Sequence, residues 1–174
     1  MPAIDPAALT PRDRYRLGIA AVVPRPIAWI TTVSEAGTVN LAPFSYFNGV
    51  CSTPLILSVS IAHRVPLKDT LANLRAGGEA VVHLVPPDRL AAMHASSGEY
   101  RHEVGEAELL GLELLASERV RPPRLACAQL FLQHQRGWPR GDRLCRTSLS
   151  PGRLRIAAGS PRFALRQFRL PRRH

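Results

Sequence analysis

Three stretches of this 174-residue sequence combine side chains in ways that suit ligand binding. Lys68-Asp69-Thr70 precedes Leu71 and Leu74, which with Leu67 recur at i, i+4 and i+7 and predict a helix over 66–75 stopped by Gly77-Gly78. The first turn of a helix presents unpaired N–H groups and a partial positive charge. Lys68 and the Thr70 hydroxyl placed there would make a seat for a phosphate. The same residues also suit an ordinary first turn with Asp69 as its cap. Asn40 to Asn48 (NLAPFSYFN) offers Phe44, Tyr46 and Phe47 as flat apolar surface, Asn40, Ser45 and Asn48 as hydrogen-bonding groups, and Pro43 as a stiff backbone position. That mixture suits a planar heterocycle held by stacking and a few polar contacts, and equally a hydrophobic loop plugging one end of a barrel. Finally, Leu55 to Ala62 reads as a strand with Leu55, Leu57, Val59 and Ile61 on one face. Its other face carries Ser58 and Ser60, either the wall of a polar site or a plain solvent-facing side.

The chemistry is narrowed by what these stretches lack. No G-x-G-x-x-G follows a strand and no G-x-S-x-G elbow occurs. His94 and His102 lie near Glu99, Glu103 and Glu106 without the spacing of a metal-ligand motif, so no metal site is expected. Cys51, Cys127 and Cys145 are far apart, which argues against a disulfide framework or a structural zinc. No side chain declares itself as catalytic acid, base or nucleophile. Such a pattern is consistent with a protein whose bound cofactor carries the chemistry.

The elements that must position these residues read mainly as β-structure with flanking helices. Asp13 to Gly18 opens a short helix, and Pro24 and Pro26 enforce an extended approach. Ile27 to Val33 alternates as a strand, Ser34-Glu35-Ala36-Gly37 turns, and Thr38 to Leu41 resumes, which predicts a hairpin with a four-residue loop. Ala42 to Thr53 has no clean period. Glu79 to Val85 reads as a strand, Asp88 to His94 as a short helix, and Ala128 to His134 as one more strand. With a leading hairpin and too few helices for a doubly wound sheet, the expectation is a small β-barrel with helices packed outside it.

Hydrophobic residues make up 45% of the chain, and no run approaches the roughly 18 apolar residues needed to span a bilayer. The N-terminus is charged before any apolar run, so a cytoplasmic protein without membrane association is expected. Charge is uneven. Residues 1–120 hold ten Lys/Arg against twelve Asp/Glu, whereas residues 121–174 hold thirteen Arg against the single acid Asp142. The body is nearly neutral and the net +10 belongs to the tail. Without interleaved aromatics the arginines do not resemble an RNA-binding surface, and nucleic acid is not the expected partner.

Pro24-Arg25-Pro26-Ile27-Ala28-Trp29-Ile30 followed by Asn40 to Phe47 resembles the flavin-reductase-like, FMN-binding split-barrel family, which includes flavoredoxin. Lys68-Asp69-Thr70-Leu71, the strand Glu79 to Val85, Glu106-Ala107-Glu108-Leu109 with Gly111-Leu112, and Ser117 to Arg124 resemble further segments of that family in the same order. The resemblance implies a split β-barrel homodimer with FMN, rather than FAD, at the subunit interface. It also implies NAD(P)H as reductant, and free flavin, a monooxygenase component or another redox partner as acceptor. Carried over by position, Thr31, Thr32, Asn40, Pro43, Phe44, Ser45, Tyr46 and Asn48 would edge the isoalloxazine and ribityl chain, and Ser58, Ser60, Lys68 and Thr70 would hold the phosphate. The alternatives are a non-enzymatic FMN electron-transfer protein of the flavoredoxin kind, and a degenerate barrel carrying a basic nucleic-acid-binding tail. The motifs stop near Leu125, where Gly141-Asp142-Arg143-Leu144 runs into Cys145-Arg146-Thr147-Ser148 with no strand-like continuation. The expected organisation is therefore a split-barrel domain over 1–135, incomplete at its C-terminal end, and an atypical Arg/Pro-rich segment over 136–174.

Overall fold

The computed structural model describes residues 4–52, 55–128 and 131–134; side chains are described for 4–50 and 57–128. The segment 136–174 singled out above lies outside these residues.

Helix α1 (Pro11–Ala21) starts under an N-cap at Thr10, whose hydroxyl accepts from Asp13 N–H at 3.1 Å, and Pro11 occupies the first helical position. It runs beyond the expected Asp13–Gly18 at both ends. The C-terminal end is gathered by Arg25, whose guanidinium donates to the carbonyls of Ile19 and Val22. Strand β1 (Ala28–Val33) turns at Ser34 to Thr38 into β2 (Val39–Phe44), with Gly37 at φ 93° and the Gly37 N–H donating to Ser34 C=O. The loop is one residue longer than the expected four. β3 (Phe47–Ser52) and β4 (Leu55–Val59) form a second antiparallel hairpin with a register shift between Gly49 and Cys51. The stretch from 42 to 52, expected to be irregular, is thus mostly strand. Pro43 is tolerated there because β2 lies at the margin of its sheet, where a missing N–H breaks no ladder.

Then follow α2 (Asp69–Ala76), β5 (Ala80–Leu84), a 3₁₀ turn leading into α3 (Leu90–Ala95), α4 (Glu106–Leu109), the two-residue strands β6 (Leu114–Leu115) and β7 (Arg124–Leu125), and β8 (Phe131–His134). Among the described residues the strands form a four-stranded sheet in the order β2-β1-β5-β8 and two two-stranded sheets, β3-β4 and β6-β7, all antiparallel. The architecture is mainly sheet with flanking helices, and these strands do not close into a barrel.

Strand β1 is buried on both faces, and each face serves its own core. Ala28 and Ile30 join Phe44, Val59, Ile61, Leu71, Ala80 and Val82 beneath α2, whose Leu74 and the preceding Leu67 pack against the same cluster. Trp29 on the opposite face meets Leu41, Ala107, Leu125 and Ala128 beneath α3, α4 and β6-β7. This is the alternation expected from the sequence. Every polar side chain on β1 finds a partner. The Trp29 indole donates to Ser96 Oγ at 2.9 Å, and the Thr31 hydroxyl donates to Pro123 C=O at 2.6 Å. The Thr32 hydroxyl accepts from Asn40 and Asn73.

Two buried titratable groups tie the second core together. Leu125 N–H donates to His83 Nε2 at 3.0 Å, which leaves the ring proton on Nδ1, 2.9 Å from the Trp29 carbonyl. Burial is the main reason that the His83 pKa falls to about 4, and the Arg124 charge adds to it. Glu106, 5% exposed, accepts from Leu41 N–H at 2.8 Å on the side of β2 away from β1. Burial raises its pKa, against the opposing pull of that hydrogen bond. Gly105, just before Glu106, lies close against β2, where an added Cβ would stand 3.2 Å from Val39 C=O.

The two groups load pH dependence with opposite signs. The depressed His83 pKa gives stability that is complete above about 6.5 and is lost as pH falls through about 4, at most about 3 kcal/mol. The raised Glu106 pKa gives stability that is complete below the ordinary carboxylate value and fades as pH rises through the folded value. His83→Leu is expected to lower stability at pH 7 by about 2–4 kcal/mol, since it strips partners from Leu125 N–H and Trp29 C=O. It should also flatten the acid-side slope between pH 6.5 and 4, measured by urea unfolding across that range. An unchanged slope would refute the assignment of a buried neutral imidazole.

Candidate functional site

The β3–β4 hairpin gathers the first part of the site. Asn48 pairs with Ser58 in register, and Ser60 N–H donates to Tyr46 C=O at 2.8 Å. Because strands alternate, Phe47 turns into the core while Tyr46 and Asn48 face outward, and Ser58 and Ser60 sit half-buried opposite them. Tyr46 stands edge-on to Tyr15 of α1 with ring centroids 6.0 Å apart. A Cβ at Gly18 would come within 2.7 Å of the Tyr46 hydroxyl, so a larger residue there would push the end of the Tyr46 ring aside.

The second part is the approach to α2. The Lys68 ammonium lies 5.5 Å from the centroid of the Phe44 ring, which ties the start of α2 to the end of β2. Burial pulls the Lys68 pKa below the usual lysine range, and the neighbouring Arg64 charge pulls it further, with Glu99 opposing. Arg64 itself is held by Glu99 at 2.5 Å. Lys68 is the N-cap of α2, and no side chain caps the helix there. Asp69, expected as the cap, turns instead to His102, with Oδ1 2.7 Å from Nδ1. Lys68 therefore stands at a helix end whose leading N–H groups have no side-chain cap, with the Arg64–Glu99 pair near it and Asp69 in the first turn; the ammonium and the N–H groups suit a phosphate or another oxyanion.

The predicted site residues separate into two groups. Phe44, Ser45, Tyr46, Asn48, Ser58, Ser60 and Lys68 follow one path along the end of β2, the β3–β4 hairpin and the start of α2, with half-buried Pro43 next to it on β2. Thr32, Asn40 and Thr70 lie inside, satisfying one another: Asn40 Nδ2 donates to Thr32 Oγ1 at 3.1 Å and to Thr70 Oγ1 at 2.9 Å. Thr31 is on the opposite face of β1, against Pro123. The sequence reading did not single out Arg64, Glu99, Asn73 or Tyr15. A lone Arg or Tyr has no local pattern, whereas Asn73, a polar residue on the leucine-bearing side of α2, was visible as an anomaly of periodicity. Among the described residues no group of three or more His, Cys, Asp or Glu could hold a metal ion, and no helix is long and apolar enough to cross a membrane.

The fold is shared with known proteins. Residues 20–134 match the model of the flavin reductase like domain. An uncharacterized protein of Halalkalibacterium halodurans is 40% identical over 133 residues, which are 75% of this chain and 63% of that protein. The chain thus spans a little under two thirds of that relative's length. Among solved structures, nitrilotriacetate monooxygenase component B from Bacillus cereus superposes with a TM-score of 0.74 at 33% identity, over 83% of this chain and 73% of that one. The 2-nitrobenzoate 2-nitroreductase of Pseudomonas fluorescens does so with a TM-score of 0.69 at 29% identity, over 77% of this chain and 64% of that one.

The electrostatic coupling within the site is open to direct test. Arg64→Gln should raise the Lys68 pKa only part of the way to its usual value, because burial, the larger cause, remains. A pH titration of the lysine side-chain carbons by NMR would read this; an unmoved Lys68 would show that Arg64 does not share the site.

Proposed function

The chain belongs to the flavin reductase-like family, and on that footing we propose that it is an FMN-dependent oxidoreductase working as a homodimer. NAD(P)H would be its reductant, and free flavin or a partner monooxygenase its acceptor. The observation that carries this reading is the family match over residues 20–134 together with Lys68, and Arg64 near it, at a start of α2 that no side chain caps. The donor set fits a phosphate monoester: the Lys68 ammonium for its charge and helix N–H groups for its oxygens, with Arg64 adding its charge on exchanging Glu99 for the phosphate. The structural likeness to a monooxygenase component supports a partner of that kind.

Bound flavin would supply the hydride and electron transfer, so the residues have only to bind, orient and exclude water. Lys68 and Arg64 would neutralise the phosphate, with Ser58 and Ser60 completing its hydrogen bonds. Desolvation of Lys68 raises the worth of its charge toward an anion, because water competes less for the ammonium. Tyr46, backed by Tyr15, offers its ring to the isoalloxazine, and Ser45 and Asn48 offer hydrogen bonds to its polar rim. Pro43 and Phe44 support that edge from β2. Thr32, Asn40 and Thr70 serve beneath the contact surface, whereas Thr31 faces away from it, against Pro123.

Titration of the full chain with FMN, followed by flavin fluorescence and size-exclusion chromatography, tests the reading. FMN bound by a dimer, at least about tenfold tighter than riboflavin, is expected. Lys68→Met should weaken FMN by about tenfold and leave riboflavin nearly unchanged. Mixing the loaded protein with NADH or NADPH should bleach the flavin absorbance. Protein that stays colourless with added FMN would overturn the proposal.

A further inference from the structure

Resting on the reading of the α2 start as a phosphate seat, we infer that Asn73 is a positioning residue for that seat, acting through Thr32 and Thr70. Asn73 is one turn into α2 and only 5% exposed. Its side-chain N–H donates to Thr32 Oγ1 on β1 at 3.1 Å. The same Thr32 oxygen accepts from Asn40 of β2, and the Asn40 amide also donates to Thr70 Oγ1 on α2 at 2.9 Å. Thr70 and Asn73 are three residues apart and so share one side of the helix. The result is a chain of four buried polar side chains, joined by three hydrogen bonds, that pins α2 to β1 and β2 at two points along its axis.

Such pinning does something the apolar face of α2 cannot. Leu67, Leu71 and Leu74 hold the segment down by burial, which is non-directional and tolerates small slides and rotations. Hydrogen bonds of fixed length do not tolerate them. Lys68 and the leading N–H groups of α2 come immediately before Thr70, so a shift of the helix carries them along. Contacts to an anion from a helix end and an ammonium weaken steeply with displacement, so the buried network sets how well the seat is aimed. Asn73 touches no part of the seat itself; its influence runs through the helix.

A purely structural role for Asn73 would damage binding of every flavin alike, whereas a role in aiming the phosphate seat would damage only the phosphorylated form. The test compares FMN with riboflavin by fluorescence titration of the full chain in wild type, Asn73→Leu and Thr32→Val, with a melting curve for each free protein. Asn73→Leu is expected to raise the FMN Kd about tenfold while riboflavin moves by less than about twofold. Thr32→Val, which suits a strand, removes the Asn73 bond from its other end together with the Asn40 bond to the same oxygen; it should raise the FMN Kd at least as much, and it carries the test if Asn73→Leu does not fold. The double variant should be no worse than Thr32→Val alone in its ratio of FMN to riboflavin affinity, because the bond that Asn73→Leu removes is already lost there. Equal weakening of both flavins, or an unchanged FMN Kd, would overturn the role of Asn73 while leaving the phosphate seat intact. A wild-type protein that binds FMN no better than riboflavin would overturn the seat itself, and the inference with it.

Discussion

The architecture depends on a strand that is covered on both faces and yet carries polar side chains. A buried polar group without a partner costs roughly 1–3 kcal/mol, so every one on β1 dictates where another element must sit. Trp29 fixes Ser96 at the end of α3, Thr31 fixes the Pro123 carbonyl before β7, and Thr32 fixes Asn40 on β2 and Asn73 on α2. The Trp29 backbone carbonyl recruits His83, which in turn anchors β7 at Leu125. Hydrophobic burial collects these elements around β1, and the polar obligations of one six-residue strand decide their relative placement.

That division explains what could be read from the sequence. Periodic features were legible: the alternation across β1, the leucine spacing of α2, the apolar run of β5 and the strand beginning at Leu55. The shifts of one to three residues at the ends of α1 and α2 are the ordinary cost of reading boundaries from pattern. The long-range pairings were not legible. Trp29 and Ser96 are 67 positions apart, Leu41 and Glu106 are 65 apart, and Thr32 and Asn73 are 41 apart. Nothing local to any of these residues announces its partner. The stretch that begins at Ala42 defeated a periodicity reading because it contains a strand end, a corner and a new strand, each too short to show a period of its own.

The candidate site was legible to a different degree. Lys68, Tyr46, Asn48, Ser58 and Ser60 were selected on side-chain chemistry, and the fold gathers them around one hairpin and one helix start. Asn40 and Thr70 were selected in the same way and Thr32 by the family resemblance, but neither side-chain chemistry nor a motif says anything about depth. In the fold these three face each other, where they brace the surface above. Asp69 shows the limit of short-range reasoning in another way: a residue well suited to cap its own helix is drawn to His102, 33 positions onward, and leaves the helix end open.

Glu106 and Gly105 have a consequence beyond stability. A terminal strand of a sheet displays a row of free N–H and C=O groups that can template a strand from another molecule, the first step toward cross-β aggregation. On β2 the Leu41 N–H is already taken by a carboxylate, and Gly105 lets the start of α4 lie against the Val39 carbonyl. The start of α4 thereby denies this margin to any incoming chain. Colloidal behaviour of the protein during folding and storage is set in part by one buried glutamate and the glycine before it.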